Sequence, residues 1–289
     1  MAKAPVNPDL WTPPQICQFI KRLFPKIWRT VDEAVAKGKA TGRWPPWCYL
    51  SLDAAREIIH SYPPIRFTEV PPLFWRSDPV ERVSILREAW ALRLCMHAAW
   101  RAGKGVYGFD EDFYDEVAYR TRTDGHHPSE VIKHMPEWAM WIETKPYEMG
   151  AFQRDWFLIT LTADGGVPTL LIDADIFMPV VMPIGDWSID AALRLRFKDP
   201  EDDPSEAHLG FKTLLENVLP IILYVCTENA DFGSDGRRPR RPEPVRTNKG
   251  LRYIIPSEIP RWTIGEREGV RLRLDRAKAR HLIHHGIRE

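Results

Sequence analysis

Two rhythms of apolar and polar positions follow one another along this chain. Up to about residue 135, apolar side chains recur every three to four positions, the spacing that gathers them on one side of a helix. Ile16 to Phe24 and Ile27 to Lys37 read as two helices separated by Pro25, with Gly38 as a stop. A loop carrying Trp44, Pro45, Pro46 and Trp47 follows, then a short helix from about Leu52 to His60. Pro63 to Pro72 is expected to be extended, because each proline fixes φ and removes an N–H donor. The clearest helix starts at Asp78, a capping residue, with Pro79 in the first helical position and Glu81 at capping-box spacing. Val83, Leu86, Trp90, Leu94 and His97 share a face that Ile85, Ala89, Leu92, Met96 and Ala99 widen, so burial on most sides is expected until Gly103 ends the helix. On such a face His97 reads as a hydrogen-bonded core histidine.

From Trp138 the period shortens. Trp138 to Glu143, Trp156 to Ala163, Thr169 to Asp173 and Phe177 to Met182 are β-branched or aromatic runs between Gly, Pro and Asp, as in an antiparallel meander. Asp164, Gly165 and Gly166 supply a tight turn. Two helices follow, about Ile189 to Arg196 and about Ala207 to Glu228, the second expected to kink or break at Pro220. Helices, then strands, then helices predict an α+β fold rather than alternating βαβ units. The expected organisation is one core over 1–232, helical over 1–135, with strands over about 138–182 and helices over about 189–228. A basic arm and a terminal helix then occupy 233–289, the last amphipathic stretch running from about Ile264 to His285.

Composition adds boundaries. With 44% hydrophobic and 28% charged residues the chain is expected to fold as a globular protein. No apolar run approaches the roughly 20 residues that span a bilayer, and Met1 to Leu10 lacks a secretion-signal pattern, so the expected compartment is the cytoplasm, without a membrane. Cys17, Cys48, Cys95 and Cys226 are far apart among apolar neighbours and read as buried free thiols. The net charge of zero is unevenly spread: from Gly233 onward Lys and Arg number 15 against 7 Asp and Glu, which leaves 25 against 33 before it. A basic arm on an acidic body suits an acidic partner for the arm; a solvated tail has the same composition.

Searching for chemistry yields little. Gly103, Gly105 and Gly108 lack the spacing and the preceding strand of a phosphate-binding turn, and no nucleophile elbow is present. His126 with His127, and His281 with His284 and His285, are clusters of a metal-ligand type without the further ligands of a zinc site. Asp110, Glu111, Asp112, Asp115 and Glu116 read as an acidic helix start, and Asp173 with Asp175 would hold Mg²⁺ only if a separate element brought further carboxylates. No catalytic residue, metal or cofactor is therefore assigned. In the arm, Arg237, Arg238, Arg240, Arg241, Arg246, Lys249 and Arg252 are interleaved with Pro and followed by Tyr253 and Trp262. Guanidinium groups fork onto phosphates and aromatics stack on unpaired bases, so an RNA or ribosome surface is the expected partner of this arm.

Several words of the sequence occur together elsewhere. They are Trp44-Pro-Pro-Trp-Cys48, Ala99-Trp-Arg-Ala-Gly-Lys-Gly-Val-Tyr107 with Phe109-Asp110, and Met135-Pro-Glu-Trp138 running into Ile142-Glu143. Leu219-Pro-Ile-Ile-Leu-Tyr-Val-Cys226 with Glu228-Asn229, and Pro256-Ser257-Glu258 with Trp262 and Ile264-Gly265-Glu266-Arg267, complete the set. In this order they resemble the second family of type V-A anti-CRISPR proteins, carried by mobile genetic elements. The resemblance implies a protein that recognises the N-terminal peptide of the type V-A CRISPR effector nuclease during its synthesis and blocks its biogenesis, with loss of its messenger RNA. A peptide site is then expected among the segments that carry the resemblance, at Trp44, Trp47, Tyr107, Asp110, Trp138 and Glu143, where aromatic rings beside acids suit basic and apolar peptide side chains. The alternatives are a metal-dependent ribonuclease and an RNA-binding plasmid or phage accessory protein.

Overall fold

Thr12 opens the described chain by capping a helix: its hydroxyl and N–H meet the Gln15 side chain, and α1 runs Pro13–Leu23. The computed structural model describes residues 12–63, 78–120, 129–149, 152–173, 179–185, 191, 206–233, 237–248 and 250–284. Helix α2 spans Ile27–Ala40 and continues through Gly38, where a Cβ would run into the Trp44 ring. Gly38 is thus a site of close approach rather than a stop. Helix α3, Leu52–His60, is capped by Ser51, whose hydroxyl accepts from the Ala54 N–H at 3.2 Å. Helix α4, Pro79–Gly103, starts at Asp78, which accepts from the Val80 N–H at 2.7 Å. Its first turns are open, with Val80 and Val83 exposed, and burial becomes continuous only from Ala89. His97 is fully buried and its Nδ1 lies 2.8 Å from the Arg93 carbonyl.

The strands are β1 (Val106–Phe109), β2 (Ala139–Met149), β3 (Phe152–Asp164), β4 (Val167–Asp173), β5 (Val180–Pro183) and, near the end of the chain, β8 (Arg261–Ile264). They form one sheet in the order β5-β4-β3-β2-β1-β8. The expected meander is its antiparallel part, from β2 to β5. Gly165 and Gly166 turn β3 into β4, both at positive φ, as a two-residue hairpin of matching twist requires. Strands β1 and β8 are additions that periodicity did not reveal: β1 pairs parallel with both β2 and β8. Between β1 and β2 lie α5 (Glu111–Asp115), a π-helical turn (Glu116–Arg120) and α6 (Ser129–Lys133).

Both faces of the sheet are covered, which is why its strands read as apolar runs. Trp141, Trp156, Leu158 and Leu171 point toward α1 to α4. Met140, Ile142, Phe157, Ile159, Leu170 and Ile172 point the other way, toward Phe113, Tyr114 and the helix α7, Glu206–Cys226. Helix α7 passes through Pro220 without interruption. The missing hydrogen bond costs about 3 kcal/mol, but Val218, Leu219, Ile221, Ile222 and Val225 are buried around it, and that packing holds the helix together. After α7 the chain is extended over 237–244, forms a hairpin of β6 (Val245–Thr247) and β7 (Gly250–Arg252), enters β8, and ends its described course in α8, Glu266–His284. The α+β assignment therefore holds. The expected helix at Ile189 to Arg196 apart from residue 191, which is helical, most of the extended Pro63 to Pro72 stretch, and His126, His127, Asp175, Lys249 and His285 lie outside the described residues.

Candidate functional site

At the start of β1 the resemblance words meet around one carboxyl group that sequence reasoning passed over. Helix α4 ends in Gly103, Lys104 and Gly105, with Lys104 left-handed at φ 60° and its N–H bonded to the Trp100 carbonyl. The loop wraps Glu137: a Cβ at Gly103 or Gly105 would run into its carboxylate oxygens. The Tyr107 hydroxyl donates to Glu137 Oε2 at 2.7 Å, and the Gly105 backbone also bonds the carboxyl. Burial raises the Glu137 pKa to about 7, against the opposing pull of those two bonds. Tyr107 is held well above its ordinary value, first by burial and then by Glu137. A carboxyl poised near neutrality suits acid–base work, but Glu137 is only 4% exposed and closed in by the glycine loop. It locks segments together instead. Next to it, the Trp138 Nε1–H donates to the Pro46 carbonyl at 3.1 Å and its ring meets Tyr49 and Tyr253. Lys104 Nζ donates to the Pro256 carbonyl at 2.5 Å. The sequence signals for this knot were two glycines flanking Lys104 and an acid set between Pro136 and Trp138.

The six residues expected at a peptide site fall into four places. Trp44 and Trp138 are buried on the α1 to α4 side, and Trp47 is half-buried nearby, in contact with both cores. Tyr107 is fully buried on the opposite side. Asp110 caps α5, accepting from the Asp112 and Phe113 N–H groups, and pairs with Arg273 of α8 at 3.0 Å. The Glu143 side chain is 36% exposed, and it accepts from Arg261 Nη1 at 2.9 Å. That pair crosses β1 above Gly108, whose missing side chain leaves the path clear.

The arm is fastened to the body by alternate arginines. Arg241 donates to the carbonyls of Lys133 and Met135 at 2.6 and 2.8 Å, and burial lowers its pKa. Arg238 donates to the carbonyls of Thr227 and Glu228, where α7 ends, and sits 5.1 Å over the Phe232 ring. Arg237, Arg240 and Arg246 are exposed, and Arg252 is half-buried close to Asp32. Below the arm opens a cleft of about 640 Å³ lined by His134, Pro136, Arg237, Arg238, Pro239, Arg240 and Trp262. Among the described residues no carboxylate lines it. Asp231, buried at the root of the arm, ties it to α8 by accepting from the Arg267 N–H and Nε at 2.8 and 2.9 Å. Among the described residues no three His, Cys, Asp or Glu side chains converge in a metal-holding group, and no helix is long and apolar enough to cross a membrane.

Comparison with known proteins gives two findings. Residues 107–286 match the AcrVA2-like family, described as the anti-CRISPR type V subtype A2 family. Among solved structures, the crystal structure of AcrVA2 superposes with a TM-score of 0.63 over 91% of this chain and 86% of that one, at 15% identity, a likeness of fold. No curated protein sequence matches the chain.

Proposed function

Because the chain belongs to the AcrVA2-like, anti-CRISPR type V subtype A2 family, we propose that it disables a type V-A CRISPR system by capturing the N-terminal segment of the effector nuclease as it is made, with loss of the corresponding messenger RNA. The observation that carries this reading is the edge at β8. Parallel strands bond through alternate residues: Val106 N–H bonds Pro260 and Asp110 N–H bonds Ile264, so Trp262 and Ile264 face β1 while the backbone groups of Arg261 and Thr263 face outward. No further strand pairs with that edge among the described residues; at its far end Asp231 accepts from the Gly265 N–H and Gly233 lies against the Thr263 carbonyl, which leaves the stretch at Arg261 for a partner. An extended peptide adds to such an edge through its own backbone, with side chains selected by what flanks it. Two strands in from that edge, Glu143 of β2 meets Arg261 of the edge strand across β1, and Arg261 is 68% exposed. A peptide Lys or Arg laid over this face of the sheet takes the place of Arg261 at little cost, since an exposed ion pair contributes about 1 kcal/mol or less. The arm, through Arg237, Arg240 and Arg246, faces ribosome or RNA in the same reading.

The test is calorimetry at low salt with a synthetic peptide of the effector's N-terminal segment. Glu143→Gln is expected to weaken binding while the melting curve stays in place. Equal affinity of wild type and variant removes Glu143 from the site, and no binding by the wild type removes peptide capture. Incubation of the protein with defined RNA, with and without Mg²⁺, separates this reading from a ribonuclease.

A further inference from the structure

The cleft under the arm has a chemistry narrower than "basic surface". Its cations come from one extended segment, where Arg238 is committed to the end of α7 and the following Arg241 to the turn after α6. The segment is therefore held in place before any ligand arrives, and Arg237 and Arg240 remain exposed along the rim. The rest of the lining is aromatic or proline. Trp262 packs partly on the sheet core and otherwise lines the cleft, with His134, Pro136 and Pro239 beside it. Trp262 Nε1 is buried with no hydrogen-bond partner among the described residues.

Guanidinium groups and an indole lining one cleft match a ligand that is anionic at one end and planar at the other. An acidic peptide would use the arginines and leave the indole and prolines idle, whereas a base stacks on them. A duplex keeps its bases stacked on each other and offers only phosphates. The volume of about 640 Å³ is that of a small-molecule site, large enough for one nucleotide. We infer that this cleft receives an unpaired nucleotide of RNA, its phosphate on Arg237 and Arg240 and its base against Trp262. The inference rests on the reading of the arm as the RNA-facing side. The cleft adjoins the peptide edge on β8 but uses the other face from the Glu143–Arg261 pair, because Arg261 and Trp262 are consecutive residues of the strand and point to opposite faces of the sheet.

The experiment uses the full chain and fluorescence anisotropy of a labelled oligouridylate, with an RNA duplex of equal length as comparison. Single-stranded RNA is expected to bind more tightly than duplex. Trp262→Leu is expected to lose about fivefold to a hundredfold in single-strand affinity, the range for one stacked base, and to leave duplex binding unchanged. Trp262→Phe keeps a flat ring and is expected to restore most of that loss; it also serves if the leucine variant does not fold. Arg240→Glu is expected to weaken both RNAs and flatten the salt dependence, as loss of a phosphate contact does. Equal affinity for single strand and duplex, or no effect of either Trp262 variant, overturns the nucleotide site. Displacement of the RNA by oligoglutamate at equal concentration, with Trp262→Leu indifferent, makes it an acidic-peptide site and also overturns the inference. Peptide calorimetry on the same variants keeps the two readings apart: intact peptide capture with failed RNA discrimination sinks only the cleft, and absent peptide capture sinks only the peptide edge.

Discussion

Replacing Glu137 with Gln removes the one buried charge that the glycine loop encloses, and the structure fixes the size and sign of the effect. The carboxyl ordinarily titrates at 4.5 and here at about 7. At about 1.4 kcal/mol per pH unit, that displacement corresponds to about 3 kcal/mol. Below pH 4.5 the folded and unfolded chains both hold the proton, and the site is neutral for stability. Between 4.5 and 7 the unfolded chain has released it while the folded chain has not, so stability falls as pH rises. Above 7 the loss is complete. Gln keeps an acceptor for the Tyr107 hydroxyl and carries no charge, so Glu137→Gln is expected to match the wild type near pH 4 and to exceed it by up to about 3 kcal/mol at pH 8. His97 acts in the opposite sense. Burial lowers its pKa to about 4, so the folded chain holds it neutral while the unfolded chain protonates, and its contribution is lost as pH falls from 6.5 toward 4. The two partly cancel in the wild-type profile, and only the difference between wild type and variant isolates Glu137. Urea unfolding at half-unit pH steps from 4 to 8 gives that difference directly. A difference that stays flat across this window would show that Glu137 is not held protonated, and the reasoning would fail.

The remaining predictions concern packing and the arm. Gly105→Ala is expected to cost about 1 to 3 kcal/mol, because the new methyl meets the Glu137 carboxylate and the Tyr107 ring; an unchanged melting temperature would contradict the closeness of that loop. Trp100→Ala is expected to cost about 3 to 5 kcal/mol, since Trp100 is 2% exposed and its Nε1–H donates to the Gly105 carbonyl. A denaturant midpoint equal to wild type would place that ring elsewhere. Arg238→Ala is expected to release the arm, with a global cost of only about 1 kcal/mol but faster amide exchange over 237–244. Unaltered exchange there would mean that Arg241 alone fastens it.

The elements legible in the sequence were those whose signal is local. The start of α4 was announced by Asp78 at its cap, and the turn from β3 to β4 by two glycines, which the structure holds at positive φ. The family, too, was legible, because its words keep their order. Other readings failed for a shared reason. Strands β1 and β8 are four residues each and pair in parallel with partners far off in sequence, so neither a turn nor an alternation marks them. Pro220 marks a break in an isolated helix and not in one whose neighbours are buried on the sheet.

At the candidate sites the split is the same. Composition and residue order determined that the chain is α+β, that it carries a basic arm, and that Glu143 is an acid on a strand of large apolar residues. Only the tertiary structure decided which arginines fasten the arm, because it brings backbone carbonyls of the body within reach of Arg238 and Arg241. It also decided that Tyr107 and Trp138 are buried and that Glu137, an ordinary acid in the sequence, is enclosed and titrates near neutrality. Burial and hydrogen-bond partners depend on contacts made across 92 to 108 residues of chain in these cases, and the chemistry of an ionisable group follows from its surroundings rather than from its type.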